Sequence, residues 1–282
     1  MSSEKNHSKA LELIELQLGT SVKTDLNSLH RSSFDGLKIG FSPQALIQPV
    51  KKEEIGKVLT IANEFGVPVT TKGAGSSLTG GVTPIHGGWV LDLSKLNEIE
   101  VDEENMLVRC GPGAVVAEVQ EKVSGHDLFY PPDPSSKNFC TIGGNIACNA
   151  GGLRCVKYGV TRDYVLSLSG FLPTGEKVRW GRETRKFATG YNIRDLWIGS
   201  EGTLGVVSEV ILRLIRRPKE RKTFLAAFRS DAEALRAPVE LSRLGLCPSI
   251  LEFLSPLSFN FSKTCSDKDC ICLEEFPLAI IM

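Results

Sequence analysis

The chain has 282 residues, of which 41% are hydrophobic and 23% are charged, a composition typical of a globular protein with a sizeable core and more than one domain. Lysine plus arginine and aspartate plus glutamate each number 33, so no overall field attracts nucleic acid or an anionic membrane surface. No apolar run approaches the roughly 18 residues that a membrane-spanning helix needs, and we therefore expect no membrane span.

The cysteines and histidines give no sign of a disulfide framework or a metal site. Eight cysteines are scattered without Cys-x-x-Cys pairs, and no signal-peptide pattern is present, which predicts reduced thiols and a cytoplasmic location. Cys265, Cys270 and Cys272 fit no iron–sulfur spacing, and none of the four histidines has metal-ligand spacing to another. We therefore expect no metal and assign no catalytic residue.

Two amphipathic helices and a strand are predicted in the first part of the chain. Apolar residues recur at helical spacing over residues 8–18 and, more clearly, over residues 51–65, where Gly66 ends the pattern. The apolar and β-rich residues 67–71 then predict a strand. These elements bring the chain to an unusual loop.

The loop lies within Val69–Gly81, which reads VTTKGAGSSLTGG. It is not a P-loop, because Gly81 and Val82 stand where lysine and a hydroxyl residue are required. It is not a G-x-G-x-x-G fingerprint either, because Leu78 replaces the third glycine. Glycines let main-chain N–H groups approach a ligand without side chains intervening, so the loop predicts a phosphate-binding site.

The middle of the chain continues the mixed α/β pattern. Strands are predicted at 89–93 and 106–110, and a valine-rich helix at 114–123. The stretch 130–165 is too polar and glycine-rich for a core and too long for an ordinary connection, which predicts a binding loop. A hairpin about Pro173–Gly175 follows, and the turn GSEGTLG then leads into a long strand.

The C-terminal part has a different pattern. After a basic junction, a strand, a helix that begins at the capping-box residue Ser230 and ends at Gly245, and a second strand form one β-α-β unit. The tail lacks the periodicity to complete a ferredoxin-like domain, so this part looks cut short. The expected regions are an N-terminal helical segment at 1–41, a ligand-binding domain at 42–217 and the start of a truncated domain at 218–282.

Six motifs together resemble a known family. KGAGSSLTGG, PPDPSS, TIGGNIACNAGG, KYGVT, TGYN and GSEGTLGVVSEV, in this order and spacing, are similar to those of the FAD-binding oxidase/transferase type 4 flavoproteins, in the branch of the glycolate oxidase FAD-linked subunit and D-lactate dehydrogenase. The resemblance covers approximately residues 40–255. It implies an α+β fold: a vanillyl-alcohol-oxidase (PCMH-type) FAD-binding domain of two α/β lobes, followed by an incomplete ferredoxin-like cap.

The resemblance also implies which residues bind FAD. The glycine-rich loop becomes a pyrophosphate cradle, the Pro-Asp-Pro-Ser turn and the glycines after it line the isoalloxazine and its ribityl chain, and the GSEG turn forms a third wall. Glu201 could equally be an ordinary surface carboxylate. The predicted cofactor-binding residues are Lys72, Gly73, Ala74, Gly75, Ser76, Ser77, Leu78, Gly80, Gly81, Pro132, Asp133, Pro134, Ser135, Thr141, Gly143, Gly144, Asn145, Ala150, Gly151, Gly152, Tyr158, Gly159, Thr161, Glu201, Gly202 and Val207.

The same loop predicts how the flavin is attached. Relatives with a covalently bound flavin have a histidine in the glycine-rich loop, whereas this loop has Ser76 and Ser77, and the nearest histidine, His86, lies beyond it. We therefore expect non-covalent FAD.

The implied function is an FAD-dependent dehydrogenase acting on the CH–OH group of a 2-hydroxy acid such as glycolate or D-lactate, for which this chain supplies the FAD-binding part. The cap motifs of the relatives have no counterpart here, so we expect the isolated chain to be inactive. The implied partners are a 2-hydroxy-acid substrate and other glycolate oxidase subunits, including an iron–sulfur subunit. Two alternatives stay open: a non-catalytic electron-relay subunit of an oxidase complex, and a UDP-sugar reductase of the same flavin fold.

Overall fold

The structure is a computed structural model that describes residues 2–255, 257–258 and 278–281. Cys265, Cys270 and Cys272 lie outside these residues. The chain divides into two compact units. Unit 1 comprises Met1–Tyr130, Ser136–Ala150 and Thr161–Arg217, and unit 2 comprises Pro131–Ser135, Gly151–Val160 and Pro218–Met282.

The helices of unit 1 include both that were predicted near the N-terminus. The second of them, α3, begins where the Glu54 carboxylate accepts hydrogen bonds from the N–H groups of Val50 and Lys51, and it ends at Gly66, whose φ is +67°. The valine-rich helix is α4. The helices of unit 1 are α1 (Ser2–Leu18), α2 (Leu26–Ser32), α3 (Lys52–Phe65), α4 (Val116–Ser124), α5 (Ile142–Cys148) and α7 (Arg194–Trp197).

A four-stranded sheet carries the N-terminal core of unit 1. Its strands are β1 (Val22–Lys23), β2 (Ala45–Ile47), β3 (Val69–Lys72) and β4 (Trp89–Asp92), in the order β1-β2-β4-β3. Strands β2 and β3 run parallel to β4, and β1 is antiparallel to β2. The apolar face of α3 packs on this sheet, with Ile55, Val58, Trp89 and Leu91 fully buried. The strands predicted at 67–71 and 89–93 are confirmed as β3 and β4.

A five-stranded antiparallel sheet forms the rest of unit 1. Its order is β5-β6-β10-β8-β9, and its last strand in sequence, β10, lies at the centre. The predicted hairpin is β8 with β9, and the predicted long strand after GSEGTLG is β10. Strands β7 and β11 form a separate two-stranded antiparallel sheet. The strands are β5 (Ile99–Asp102), β6 (Leu107–Cys110), β7 (Leu128–Phe129), β8 (Val165–Phe171), β9 (Lys177–Gly181), β10 (Val206–Arg213) and β11 (Ile215–Arg216).

The stretch 130–165 is not the continuous loop that its composition predicts. It contains helix α5, which begins where Thr141 Oγ1 accepts a hydrogen bond from the Gly144 N–H, and which ends at Asn149 with a φ of +47°. It also contains α6 (Cys155–Tyr158), in unit 2, and a 3₁₀ turn at Thr161–Asp163. The prediction failed because two adjacent glycines in the first turn of α5 are poor helix formers.

The C-terminal part of unit 2 contains a three-stranded sheet and one helix. The predicted β-α-β unit is β12 (Phe224–Ala227), α8 (Asp231–Arg243) and β13 (Leu251–Leu254). Strand β14 (Leu278–Ile281) lies between β12 and β13 and is antiparallel to both. The sequence analysis did not predict this strand, in which residues 278–281 form the centre of the sheet. None of the helices in the described residues is both long and apolar enough for a membrane crossing.

Candidate cofactor site

The glycine-rich loop, Gly73–Gly81, follows β3, and most of it lines a cavity in unit 1. A Cβ atom at Gly73 would collide with Thr141 Oγ1, and Gly75 has a φ of +66°, a left-handed conformation that favours glycine. Within the described part of the chain, the main-chain N–H groups of residues 75–77 donate to no protein acceptor. They form a row of donors suited to an anion.

Lys72 has a different place from the one that its sequence position suggested. It does not line the cavity, and its Nζ donates to the carbonyl oxygens of Arg31 at 3.2 Å and Phe34 at 2.8 Å. Burial lowers the pKa of Lys72 from its ordinary value, and the nearby Asp92 and Asp35 carboxylates oppose that shift. The ammonium predicted as a phosphate donor therefore binds main-chain carbonyls under the loop.

The segment after α2 supports the loop from the same side. The Asp35 carboxylate is buried and accepts hydrogen bonds from the N–H groups of Gly80 at 2.8 Å and Leu37 at 2.9 Å. The N–H of Gly36 donates to the Ser77 carbonyl at 2.9 Å. The N-terminal segment thus helps to hold the predicted phosphate loop, and its sequence did not reveal this contribution.

Helix α5 forms a second wall of the cavity. Asn145 on this helix is 3% exposed, and in the described residues no protein atom accepts a hydrogen bond from its side-chain nitrogen. A buried amide without an acceptor is costly, and a polar group of a ligand in the cavity would satisfy it. Both the N–H of residues 75–77 and this amide therefore fit a polar cofactor.

The turn before β10 forms the third wall. Glu201 has a φ of +51°, and its N–H donates to the Ala147 carbonyl at 2.9 Å. Its carboxylate accepts a hydrogen bond from Thr79 Oγ1 at 3.1 Å, at the end of the glycine-rich loop. Burial raises the pKa of the Cys148 thiol, and Glu201 raises it further, so this thiol stays protonated beside the carboxylate.

The cavity has a volume of about 220 Å³ and lies within unit 1. Of the predicted residues in unit 1, Lys72, Leu78, Gly80 and Thr161 do not line it. Thr161 instead donates its hydroxyl proton to the Ala150 carbonyl at 2.7 Å. The predicted residues that the structure brings together around the cavity are Gly73, Ala74, Gly75, Ser76, Ser77, Gly81, Thr141, Gly143, Gly144, Asn145, Ala150, Glu201, Gly202 and Val207.

The other predicted residues belong to unit 2. There, a Cβ atom on Gly152 would collide with the carbonyl of Asp133, so glycine is required for this close approach. Asp133 forms an ion pair with Arg154 at 3.4 Å, and both side chains are largely buried. The predicted residues in this unit are Pro132, Asp133, Pro134, Ser135, Gly151, Gly152, Tyr158 and Gly159.

Several cavity residues were missed by the sequence analysis. Thr79 lies in the glycine-rich loop and could have been included with the serines beside it. Ala147 and Cys148 lie two and three residues after Asn145 on α5, which was not predicted as a helix. Pro112 and Trp197 come from separate segments and carry no local signal. In the described residues, no three His, Cys, Asp or Glu side chains are grouped so that they could hold a metal ion.

Comparisons with known proteins agree with this arrangement. Residues 43–181 match a family described as FAD binding domain. The structure is similar to alkyldihydroxyacetonephosphate synthase, with a TM-score of 0.84 and 21% identity over 97% of this chain and 55% of that one. It is also similar to p-cresol methylhydroxylase, with a TM-score of 0.80 and 18% identity over 99% of this chain and 61% of that one.

The structure has the α+β fold of the PCMH-type FAD-binding class, as the sequence predicted. The match of residues 43–181 to the FAD binding domain family confirms the prediction of an FAD cofactor.

Two curated relatives illustrate the similarity. The chain is 43% identical over 213 residues to the glycolate oxidase subunit GlcD of Bacillus subtilis, which covers 75% of this chain and 45% of the relative. It is 39% identical over 213 residues to the D-lactate dehydrogenase of Anaerostipes hadrus, again over 75% of this chain and 45% of the relative. The chain thus spans less than half the length of these relatives.

Proposed function

We propose that the chain is the FAD-binding part of an FAD-dependent dehydrogenase that oxidises the CH–OH group of a 2-hydroxy acid such as glycolate or D-lactate. The observation that carries this proposal is the 43% identity to a glycolate oxidase subunit, over a region that includes the whole glycine-rich loop and the cavity walls. Bound FAD would supply the acceptor for the hydride that leaves the α-carbon of the substrate.

The residues of the cavity suggest how the cofactor would be oriented. The N–H groups of residues 75–77 suit the doubly charged pyrophosphate, since main-chain donors without side chains can approach its oxygens. The Glu201 carboxylate repels phosphate and accepts hydrogen bonds, so it suits a neutral hydroxyl or amine of the nucleoside part. The buried Asn145 amide is a further donor toward the cofactor.

A second candidate function is a non-catalytic electron-relay subunit. It is favoured by the name of the relative GlcD, which is described as a subunit of glycolate oxidase. In either case we propose partner subunits, one of them with an iron–sulfur centre, and a cytoplasmic location. The five described cysteines are free thiols, which is consistent with a reducing compartment.

A chimera tests the proposed function. The aligned part of the Bacillus subtilis GlcD would be replaced by the matching 213 residues of this chain, purified with FAD and mixed anaerobically with glycolate, D-lactate or D-2-hydroxyglutarate. Bleaching of the flavin absorbance by one of these acids supports the dehydrogenase. A chimera that binds FAD fully but is bleached by none of them contradicts it. The same chimera with Gly75→Val is the control without bound flavin.

The isolated chain provides a second measurement. We propose that the isolated chain, residues 1–282, binds FAD but that these acids do not reduce the bound flavin. Hydride transfer needs the α-carbon held about 3–3.5 Å from the acceptor atom, together with a base for the hydroxyl proton. No residue of the chain is assigned to either task. Bleaching of the isolated chain by a 2-hydroxy acid would contradict this proposal and place the catalytic groups within residues 1–282.

A further inference from the structure

Arg162 lies outside the cavity but contacts the segment that precedes its third wall. Its Nη1 donates to the carbonyl of Asp195 at 2.8 Å, and its Nη2 donates to the carbonyl of Ile198 at 2.7 Å. A guanidinium group is planar and its donors have a fixed spacing, so two such bonds fix the direction of the segment as well as its position. The segment leads directly into the turn that carries Glu201.

Arg162 is also connected to the second wall. Its main-chain N–H donates to Asn149 Oδ1 at 3.0 Å, and Asn149 is the residue that ends α5 in a left-handed conformation. A Cβ atom on Gly199 would lie 3.5 Å from both Arg162 Nη2 and Asn149 Cβ, so the turn passes close to both residues. One arginine therefore bonds to the end of α5 and to the segment before the turn.

The turn itself is bonded to the end of α5. The N–H of Gly199 donates to the Ile146 carbonyl at 2.9 Å, and the N–H of Glu201 donates to the Ala147 carbonyl at 2.9 Å. The Ile146 carbonyl also accepts a hydrogen bond from the Asn149 N–H at 3.1 Å, so the turn and the end of α5 share this acceptor. Residues 195–198, the segment that Arg162 binds, run directly into this turn.

We propose that Arg162 is a positioning residue that sets the place of the Glu201 carboxylate in the cofactor cavity, through Ile198 and the turn, without touching the cofactor. The inference rests on the proposed use of this cavity for FAD. It differs from a purely structural role, in which the two carbonyl bonds would stabilise the fold and the effect of losing them would be independent of Glu201.

The test measures FAD binding to the full 282-residue chain by quenching of flavin fluorescence, and the circular dichroism of the bound flavin. We expect Arg162→Met to weaken FAD binding about tenfold, as expected for the loss of charge-assisted hydrogen bonds, and to change the dichroism. The matched control is Arg185→Met, since Arg185 also donates to a main-chain carbonyl, that of Leu214 at 3.3 Å, but lies away from the cavity. It should leave both signals unchanged.

A double-mutant cycle separates positioning from stability. In the Glu201→Gln background, Arg162→Met should weaken FAD binding by much less than tenfold, because the group that it positions is already altered. Arg162→Lys should recover part of the loss, since one ammonium can reach one of the two carbonyls, and it provides the same comparison if Arg162→Met does not fold.

Two outcomes would overturn the inference. One is an equal effect of Arg162→Met in both backgrounds. The other is a lower thermal midpoint of the FAD-free protein with unchanged FAD affinity and dichroism. Failure of the wild-type chain to bind FAD would instead overturn the proposed cofactor site, so the two failures are distinguishable.

Discussion

The Nζ of Lys72 donates a hydrogen bond to the carbonyl oxygen of Phe34 at 2.8 Å. This bond joins the last residue of β3 to the segment after α2, and it turns the ammonium away from the cavity. A Cβ atom on Gly75 would lie 2.9 Å from Lys72 Cε, so the cation lies directly under the glycine-rich loop. Its charge can attract a pyrophosphate through the loop without touching it.

The first prediction concerns this cation. Lys72→Met should weaken FAD binding at neutral pH, because the positive charge under the loop is lost, and Lys72→Arg should keep part of it. Burial lowers the pKa of Lys72, and bound pyrophosphate favours its charged form. FAD affinity should therefore be highest at lower pH and fall as the pH rises through this lowered value. A titration of FAD affinity against pH should show that fall in the wild type and not in Lys72→Met.

The second prediction concerns the backbone of the loop. Gly75→Val should abolish FAD binding, because the side chain crowds Lys72 and the left-handed backbone costs about 1–2 kcal/mol for a residue with a Cβ. The matched control is Gly87→Val, since Gly87 has a similar φ of +67° and open space around it. Flavin absorbance per protein after purification measures both. Full flavin content in Gly75→Val would show that the loop is not the cradle.

The third prediction is that FAD is held without a covalent bond. The glycine-rich loop has Ser76 and Ser77 where relatives with a covalently bound flavin have a histidine. The Cys148 thiol in the cavity has a raised pKa, which keeps it from acting as a thiolate nucleophile. Acid precipitation of the yellow protein should therefore leave the flavin in the supernatant. Flavin fluorescence that stays with the pellet would disprove this.

The fourth prediction concerns Glu201. Glu201→Gln removes the charge but keeps the shape, so it should change FAD affinity or the flavin midpoint potential and leave the thermal midpoint of the FAD-free protein near that of the wild type. Glu100→Gln is a suitable control, because the Glu100 side chain is 80% exposed and lies on β5. If affinity and potential are as unchanged in Glu201→Gln as in the control, Glu201 is an ordinary surface carboxylate.

The fifth prediction concerns unit 2. Arg154→Met should lower the free energy of unfolding by about 3 kcal/mol, because it leaves the largely buried Asp133 carboxylate without its ion-pair partner. Asp133→Asn combined with Arg154→Met should recover part of that loss, since no charge then remains buried. Urea unfolding of both variants measures the difference. Equal stability of the single and double variants would argue against the ion pair.

The parts of the fold that were predicted are those in which the local pattern decides the structure. Helix α3 has an apolar face and clear ends, and β10 is a long strand after a glycine turn. Helix α5 was missed because Gly143 and Gly144 are poor helix formers, and it is held by contacts with other segments, such as the bond from the Gly143 N–H to the Pro112 carbonyl. Strand β14 was missed because four apolar residues pair with strands far away in sequence.

The site shows the same division. The phosphate-binding loop could be predicted from its composition, because glycines and small hydroxyl residues leave the main-chain N–H groups open to a ligand. The role of Asp35 could not, since its partner Gly80 is 45 residues away and nothing in the local sequence indicates the contact. The direction of the Lys72 side chain could not be predicted either, because the residue type alone does not show which neighbouring atoms the side chain will bind.

The central position of β10 has a consequence for the synthesis of the protein. This strand is the last of its sheet to leave the ribosome, yet it lies between β6 and β8, and Val207 on it lines the cavity. Until residues 206–213 emerge, the nascent chain exposes two unpaired strand edges, which are prone to aggregation. The complete cavity therefore cannot form before at least the first 207 residues have been translated.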